Sequence, residues 1–183
     1  MRKKTTYLLV LLSTLSFFIV HEGWAQPKPE HKPPVITSSF AVEKGSYGYI
    51  WKIYIEAEDP DADMYKIASI VNHVGYGQYP TDWIILKPQY QRYLKGYLQW
   101  NTSSAKTPYL KDWNQITLKV SIIDKAGNES NVVVFPFTFQ SGVKDEYKYT
   151  LPSPFDRSNL PRLGYITIDL VEPTFGDSGP KDQ

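Results

Sequence analysis

Alternation of apolar and polar side chains in residues 49–58 is the feature that most constrains the fold of this chain. The odd positions from Trp51 to Ala57 are apolar, and the even positions hold Lys52, Tyr54 and two glutamates. Successive side chains of a β-strand point to opposite faces, so the odd positions are predicted to face a core. The chain has no long segment of helical periodicity, which favours an all-β domain.

Residues 114–124 repeat the alternation, and a turn containing Gly127 leads into residues 132–139 to complete a hairpin. Pro136 lacks an N–H group and is predicted to lie at a sheet edge or bulge. Weaker strand patterns cover residues 36–42, 65–72, 83–86 and 93–100. These seven strands predict a two-layer antiparallel β-sandwich over residues 35–140, with Trp51 and Trp100 buried.

The N-terminal segment has the layout of a secretory signal peptide. Three basic residues precede an apolar run at residues 7–20, and small residues precede a cleavage point after Ala25. A retained membrane anchor is the alternative, but the run is shorter than the ~20 apolar residues that span a bilayer. We therefore expect residues 1–25 to be removed, no membrane span to remain, and residues 26–34 to form a proline-rich spacer.

Residues 141–183 form an extension with one further strand pattern, at residues 165–172. Tyr165 falls on one face, and Ile166, Ile168 and Leu170 fall on the other. A lone strand must pair with another. Two alternatives follow: the strand joins this domain's own sheet, or it adds to the sheet of a partner protein.

Charge and cysteine content exclude several functional classes. The chain has 20 basic and 19 acidic residues, and removing residues 1–25 leaves 17 basic and 18 acidic residues. Nucleic-acid binding needs clustered cations and is not expected. The absence of cysteine excludes disulfides, thiolate nucleophiles and cysteine-ligated zinc, and in an exported protein it favours a bacterial source.

Four stretches, taken in order, resemble the bacterial immunoglobulin-like superfamily, above all its cadherin-like or dystroglycan-type domains. They are the acidic turn at residues 57–63, the short strand at 82–84, the strand at 96–100 and the hairpin at 120–128. The resemblance implies an immunoglobulin-like sandwich that serves as a spacer, an adhesive module or an accessory unit. The family usually has glycine where this chain has Ala62, and the basic pattern lacks the C-terminal extension.

Asp59, Asp61 and Asp63 alternate along the acidic turn. Ca²⁺ binds six to eight hard oxygen ligands, which closely spaced carboxylates supply. The resemblance adds Asp124, at the end of a later strand, to this predicted calcium site. A solvated acidic turn without a metal is the alternative.

Aromatic side chains in loop-like sequence give a second set of candidates. Trp83, Tyr90 and Trp113 are predicted either to fill the core or to contact a ligand or partner. The strand residues Tyr165, Ile166, Ile168 and Leu170 are further candidates for contact with a ligand or partner. A glycan that stacks on exposed rings is one such ligand.

Catalytic patterns are weak in this sequence. After signal cleavage only His31 and His73 remain, and no Gly-x-Ser-x-Gly motif accompanies them. His73 is predicted to be a surface residue at a strand end. The sequence therefore predicts a protein without enzymatic activity that is periplasmic, on the cell surface or secreted. It would bind another envelope or extracellular protein, or alternatively a glycan.

Overall fold

The alternating segments form two β-sheets that pack face to face. The computed structural model describes residues 31–108, 110–111, 114–141, 149–156 and 159–173. These residues contain ten strands and a 3₁₀ turn at Pro88–Tyr90, so the predicted all-β sandwich is confirmed. The strands are β1 (Val35–Phe40), β2 (Lys44–Gly45), β3 (Ile50–Glu58), β4 (Met64–His73), β5 (Gly77–Gln78), β6 (Asp82–Ile85), β7 (Tyr93–Asn101), β8 (Gln115–Asp124), β9 (Val133–Phe139) and β10 (Arg162–Ile166).

Sheet I has the strand order β1-β3-β7-β10, and sheet II has the order β2-β9-β8-β4, with β5 and β6 both paired to β4. Most neighbouring strands are antiparallel, as predicted. Two pairs are parallel, so both sheets are mixed: β10 with β7, and β2 with β9. The β2 pair arises because the chain crosses from sheet I to sheet II after β1 and pairs with the edge strand of sheet II.

The core lies between the sheets and is rich in aromatic rings. Trp51 and Trp100 are both buried, as predicted, and their ring centroids lie 6.0 Å apart. The ring centroid of Phe137 on β9 lies 4.6 Å from that of Trp51. The indole Nε1 of Trp51 donates a hydrogen bond to the carbonyl oxygen of Val42 at 2.9 Å, so the ring's polar atom is satisfied inside the core.

All seven predicted strands of the sandwich form, each with bounds within two residues of those expected. The sequence did not reveal β2 and β5, since strands of two residues are too short to show alternation. Pro136 lies on β9 at the point where the edge of this strand is no longer paired with another strand. Two residues later, Thr138 N donates to Glu43 O, whereas the ring nitrogen of Pro136 has no N–H to donate.

The extra strand of the extension joins this domain's own sheet. It lies at Arg162–Ile166 rather than at residues 165–172, because its ladder with β7 ends where Ile166 pairs with Trp100. The chain continues extended, and Ile168 and Leu170, which the alternation placed on the face opposite Tyr165, are buried. A side-chain hydrogen bond holds this segment where the strand ladder has ended: the indole Nε1 of Trp100 donates to the carbonyl oxygen of Ile168 at 3.0 Å.

Residues 149–156 cover part of the outer face of sheet I, around Tyr54. Phe155 is only 1% exposed, and its ring lies 5.8 Å from that of Tyr54, an outward-facing residue of β3. Tyr149 packs on Phe40 with 6.0 Å between centroids, and its hydroxyl lies 3.4 Å from the hydroxyl of Tyr54. Burial and this contact raise the pKa of Tyr54. A small aromatic layer therefore lies outside the main core.

The predicted signal peptide at residues 1–25 and residues 26–30 of the predicted spacer lie outside the described residues. No helix in the described ranges is both long and apolar enough to cross a bilayer.

Candidate functional site

The acidic turn that was predicted to bind calcium connects β3 to β4. Asp59 is 1% exposed; its Oδ1 accepts a hydrogen bond from the backbone N of Asp61 at 2.9 Å, and its Oδ2 accepts one from the N of Asp63 at 3.2 Å. Ala62 has a φ of 59°, in the left-handed region that glycine adopts freely. Asp59 thus organises the turn, and Ala62 takes a glycine-like conformation.

The hairpin end of β8 meets this turn. Asp124 is buried, and its two carboxylate oxygens accept hydrogen bonds from the N and Nδ2 of Asn128 at 2.7 and 2.8 Å. Lys125 N donates to Asp63 O at 3.0 Å, which ties the two loops together. Burial, a hydrogen bond with Asp59, and the charges of Asp124 and Asp59 raise the pKa of Asp63.

The chain entering the domain also contacts the turn. The Nδ1 of His31 lies 3.6 Å from Asp63 Oδ2, and Lys32 N donates to Asp61 Oδ2 at 2.6 Å. Within the described ranges, no three acidic, histidine or cysteine side chains are arranged to hold a metal ion. Calcium binding at Asp59, Asp61, Asp63 and Asp124 therefore stays a prediction.

Trp83 lies on the outer face of sheet II and is 47% exposed. Its strand alternates, so Ile84 faces the core while Ile85, 58% exposed, points outward like Trp83. The Lys66 ammonium on β4 lies 4.0 Å from the Trp83 ring centroid, a cation–π contact. A bulge at Tyr65 interrupts the pairing of β4 with β8, and Tyr65 is also exposed.

Strand pairing arranges the outer face of sheet II in rows. Lys66 pairs with Ile85 on one side and Ile123 on the other. The next row contains Trp83, Ala68 and Ser121. The third contains Ile70, Lys119 and Val134. The middle row places two small side chains, Ala68 and Ser121, beside Trp83, and each is only 3% exposed. We call Tyr65, Lys66, Ile70, Trp83, Ile85, Lys119, Ile123 and Val134 the sheet II face.

The remaining aromatic and strand candidates lie elsewhere. Tyr90, in the 3₁₀ turn, is partly buried against the core. Tyr165 is 51% exposed on the outer side of sheet I, with the Arg162 guanidinium 4.1 Å from its ring centroid. Trp113 lies outside the described residues.

Ile166, Ile168 and Leu170 are buried in this domain's own core. Their side chains therefore face the opposite sheet rather than a partner while β10 stays paired with β7.

His73 is buried, so the prediction that it lies at the surface is wrong. Its Nδ1 lies 3.0 Å from the hydroxyl of Tyr79, which accepts a hydrogen bond from Val171 N at 3.0 Å. The extension beyond β10 covers this end of β4, and burial lowers the pKa of His73. The pair of His73 and Tyr79 therefore lies beneath the extension and contacts it through Val171 N.

A cleft of about 240 Å³ lies between the β5–β6 connection and the chain that follows β10. Asp82, which lines it, accepts hydrogen bonds from Thr167 Oγ1 at 2.6 Å and Thr167 N at 3.3 Å. Lys106 and Asp169 also line the cleft. Both oxygens of Asp82 are engaged, so this carboxylate holds the extension in place.

Neither a known family model nor a curated protein matches this chain. The sheet II face was only partly found by sequence reasoning, which singled out Trp83 alone. Alternation predicts the outward position of Ile85 once β6 is recognised, but the contact of Lys66 with Trp83 requires the pairing of β4 with β6.

Proposed function

We propose that this protein is a noncatalytic interaction or structural module of the bacterial envelope or surface, and that it binds another protein through the sheet II face. The observation that carries the proposal is the exposure of Trp83 and Ile85 on a regular sheet. Large apolar side chains on a rigid surface, next to polar ones, are typical of binding sites.

The two outer faces of the sandwich differ in a way that favours sheet II. Sheet I carries Tyr54 on its outer face, and Phe155 and Tyr149 from the chain's own extension cover that ring. On sheet II, Trp83, Ile85 and Val134 are about half exposed, and the described part of the chain does not cover them. A partner that buried these side chains would gain about 25 cal/mol for each Å² of apolar surface removed from water.

The same proposal includes export of the protein, the lack of a membrane span after signal cleavage, and membership of the immunoglobulin-like superfamily. Two packed sheets, with the first strand segment pairing in one sheet and the second in the other, support the family assignment. The signal-like sequence of residues 1–25 supports export.

A carbohydrate-binding role is the second candidate, favoured by the exposed ring of Trp83. Sugar stacking needs a free ring face, and the Lys66 ammonium 4.0 Å from the centroid occupies one of the two faces. A glycan panel followed by tryptophan fluorescence separates the two functions. A response that disappears in Trp83→Ala would favour the glycan, and silence across the panel would favour the protein partner.

The test of the proposed function is affinity capture from the native envelope fraction with residues 26–183 as bait. Wild type is compared with Trp83→Ala and with Tyr165→Ala, a matched loss of an exposed ring from the outer side of sheet I. We expect one stoichiometric protein on wild type and on Tyr165→Ala, and its loss on Trp83→Ala. Equal retention by all three baits would contradict binding through the sheet II face.

Calcium binding has its own test. Asp63 Oδ1 is buried without a hydrogen-bond partner beside Asp59 and Asp124, which supports a cation there. We expect added Ca²⁺ to raise the melting temperature and Asp61→Ala to abolish the rise. An unchanged rise in the variant would remove Asp61 from the site, and no rise in wild type would end the calcium prediction.

A further inference from the structure

The charged side chains that the strands of sheet II direct to its outer face are all cationic, with Lys44 and Lys119 exposed and Lys66 half-buried. Lys66 on β4 pairs with Ile123, and Lys119 on β8 pairs with Ile70 and Val134, whereas Lys44 on β2 pairs with Thr138 towards the other end of β9. The strands of sheet II contain two acidic residues, and both are engaged elsewhere: Asp82 bonds Thr167, and buried Asp124 bonds Asn128.

The lysines of this face form no ion pair within the described ranges; the Lys66 ammonium instead lies over the Trp83 ring, 4.0 Å from its centroid. Ion pairs among the described residues are those of His31 with the acidic turn and of Lys95 with Glu56 at 3.5 Å on sheet I. Lys66 and Lys119 therefore have no carboxylate within ion-pair distance in that part of the chain. On sheet I, by contrast, Lys95 of β7 is paired with Glu56 of β3.

Carboxylates near the sheet II face occur only at its margins within the described residues. Glu129 pairs with Ile123 at the hairpin end, and Glu43 lies in the β1–β2 connection beside β9. The centre, from Ile85 through Lys66 to Lys119, therefore combines apolar contact area with unneutralised positive charge. Complementary charge across an interface guides association and selects the partner.

A second copy of this chain fits the face poorly. A twofold contact places the same surface on both subunits, so Lys66 and Lys119 of each copy would approach lysines of the other. Three lysines are also too few to resemble the dense basic surface that nucleic acids need.

We propose that the partner of the sheet II face is a protein that presents an acidic surface around an apolar anchor. The anchor packs on the exposed side chains of Trp83 and Ile85, and carboxylates pair with Lys66 and Lys119. This inference rests on the proposed function and adds the chemistry of the partner to it.

The test uses a random 12-residue peptide library displayed on phage and selected against residues 26–183. Peptides that bind wild type but not Trp83→Ala are sequenced, synthesised and measured by fluorescence polarisation. We expect an excess of Asp and Glu around one or two large apolar residues, and affinity that falls as salt rises.

Charge-reversal variants make the test specific. Lys66→Glu is compared with Lys52→Glu. Like Lys66, Lys52 is a lysine that lies over an aromatic ring, 5.1 Å from the Tyr97 ring centroid, but it is on sheet I. We expect Lys66→Glu to weaken peptide binding roughly three- to tenfold and Lys52→Glu to leave it unchanged. Circular dichroism confirms that both variants are folded.

The outcomes separate this inference from the proposed function. If the Trp83-dependent peptides are neutral or basic, or if the two charge reversals have equal effects, the proposal of an acidic partner is overturned. Binding through the sheet II face would still stand. A Trp83-dependent dimer in sedimentation analysis would identify a second copy as the occupant and overturn it too. A selection without any Trp83-dependent peptide would count against the face itself.

Discussion

The indole Nε1 of Trp100 donates a hydrogen bond to the carbonyl oxygen of Ile168, 68 residues further along the chain, at 3.0 Å. Both residues are buried, so this bond holds the extension beyond β10 where no strand ladder does. The extension is thus part of the sandwich rather than an arm that is free to pair with a partner.

Replacing Trp100 with Phe should release this segment. The change leaves the Ile168 carbonyl unpaired inside the protein and removes ring volume, at a cost of about 2–4 kcal/mol. We expect a lower urea midpoint and faster proteolysis within residues 162–171. Trp51→Phe is the matched control, since the bond it loses goes to the Val42 carbonyl oxygen rather than to the extension. Equal cleavage of the extension in both variants would contradict this role of Trp100.

Gly96 allows the extension to approach β7. A Cβ at this position would lie within 3 Å of the Pro161 carbonyl oxygen, which accepts a hydrogen bond from Tyr97 N at 3.0 Å. Gly96→Ala should therefore displace β10, cost about 1–3 kcal/mol and speed amide hydrogen exchange in residues 162–166. Gly127→Ala, where a Cβ meets open space but φ is +92°, should strain the β8–β9 hairpin and leave that exchange unchanged. Slow exchange in Gly96→Ala would show that the contact is unimportant.

Ala62 has a left-handed conformation that costs an alanine about 1–2 kcal/mol. Ala62→Gly should relieve that strain. Part of the gain is offset by the greater freedom of glycine in the unfolded chain, so we expect a net increase of about 0.5–1 kcal/mol in the free energy of unfolding. Ala126→Gly, at a hairpin position without positive φ, should give no increase. Chemical denaturation measures both, and a loss of stability in Ala62→Gly would contradict the turn geometry.

His73 predicts a pH dependence of stability. Burial lowers its pKa below the ordinary value of 6.5. Below that pH the unfolded chain binds a proton that the folded chain does not, so this group's contribution to stability decreases as pH falls and is constant above 6.5. We expect the melting temperature to fall less between pH 7 and 5 in His73→Gln than in wild type. Equal declines in the two proteins would contradict burial of His73.

Sequence patterns predicted the sandwich where strands alternate over many residues. Trp51 and Trp100 were predicted to be buried because each lies on the apolar face of such a strand. Tyr54 shows where this logic fails: it faces outward from β3, yet it is buried because Phe155 and Tyr149 cover it. A contact with a segment about 100 residues away leaves no local signal.

The candidate surfaces were less predictable for the same reason. The acidic turn and the hairpin at Asp124 were predicted to come together through a resemblance, and the structure joins them through Lys125 N and Asp63 O. His73 was misplaced because its burial depends on Tyr79 and on the extension that covers them. The sheet II face depends on the pairing of β6 with β4, which a four-residue strand does not specify by itself.

The most direct test of the sheet II face uses the absence of cysteine from the chain. Ile85→Cys and Tyr165→Cys each introduce a unique thiol at similarly exposed positions on opposite sheets. Maleimide labelling is measured on the purified protein and in the native envelope fraction. The account predicts equal labelling of both thiols in the purified protein, and protection of the thiol at residue 85 alone in the envelope. Full labelling at residue 85 in the envelope, or protection confined to residue 165, would contradict it.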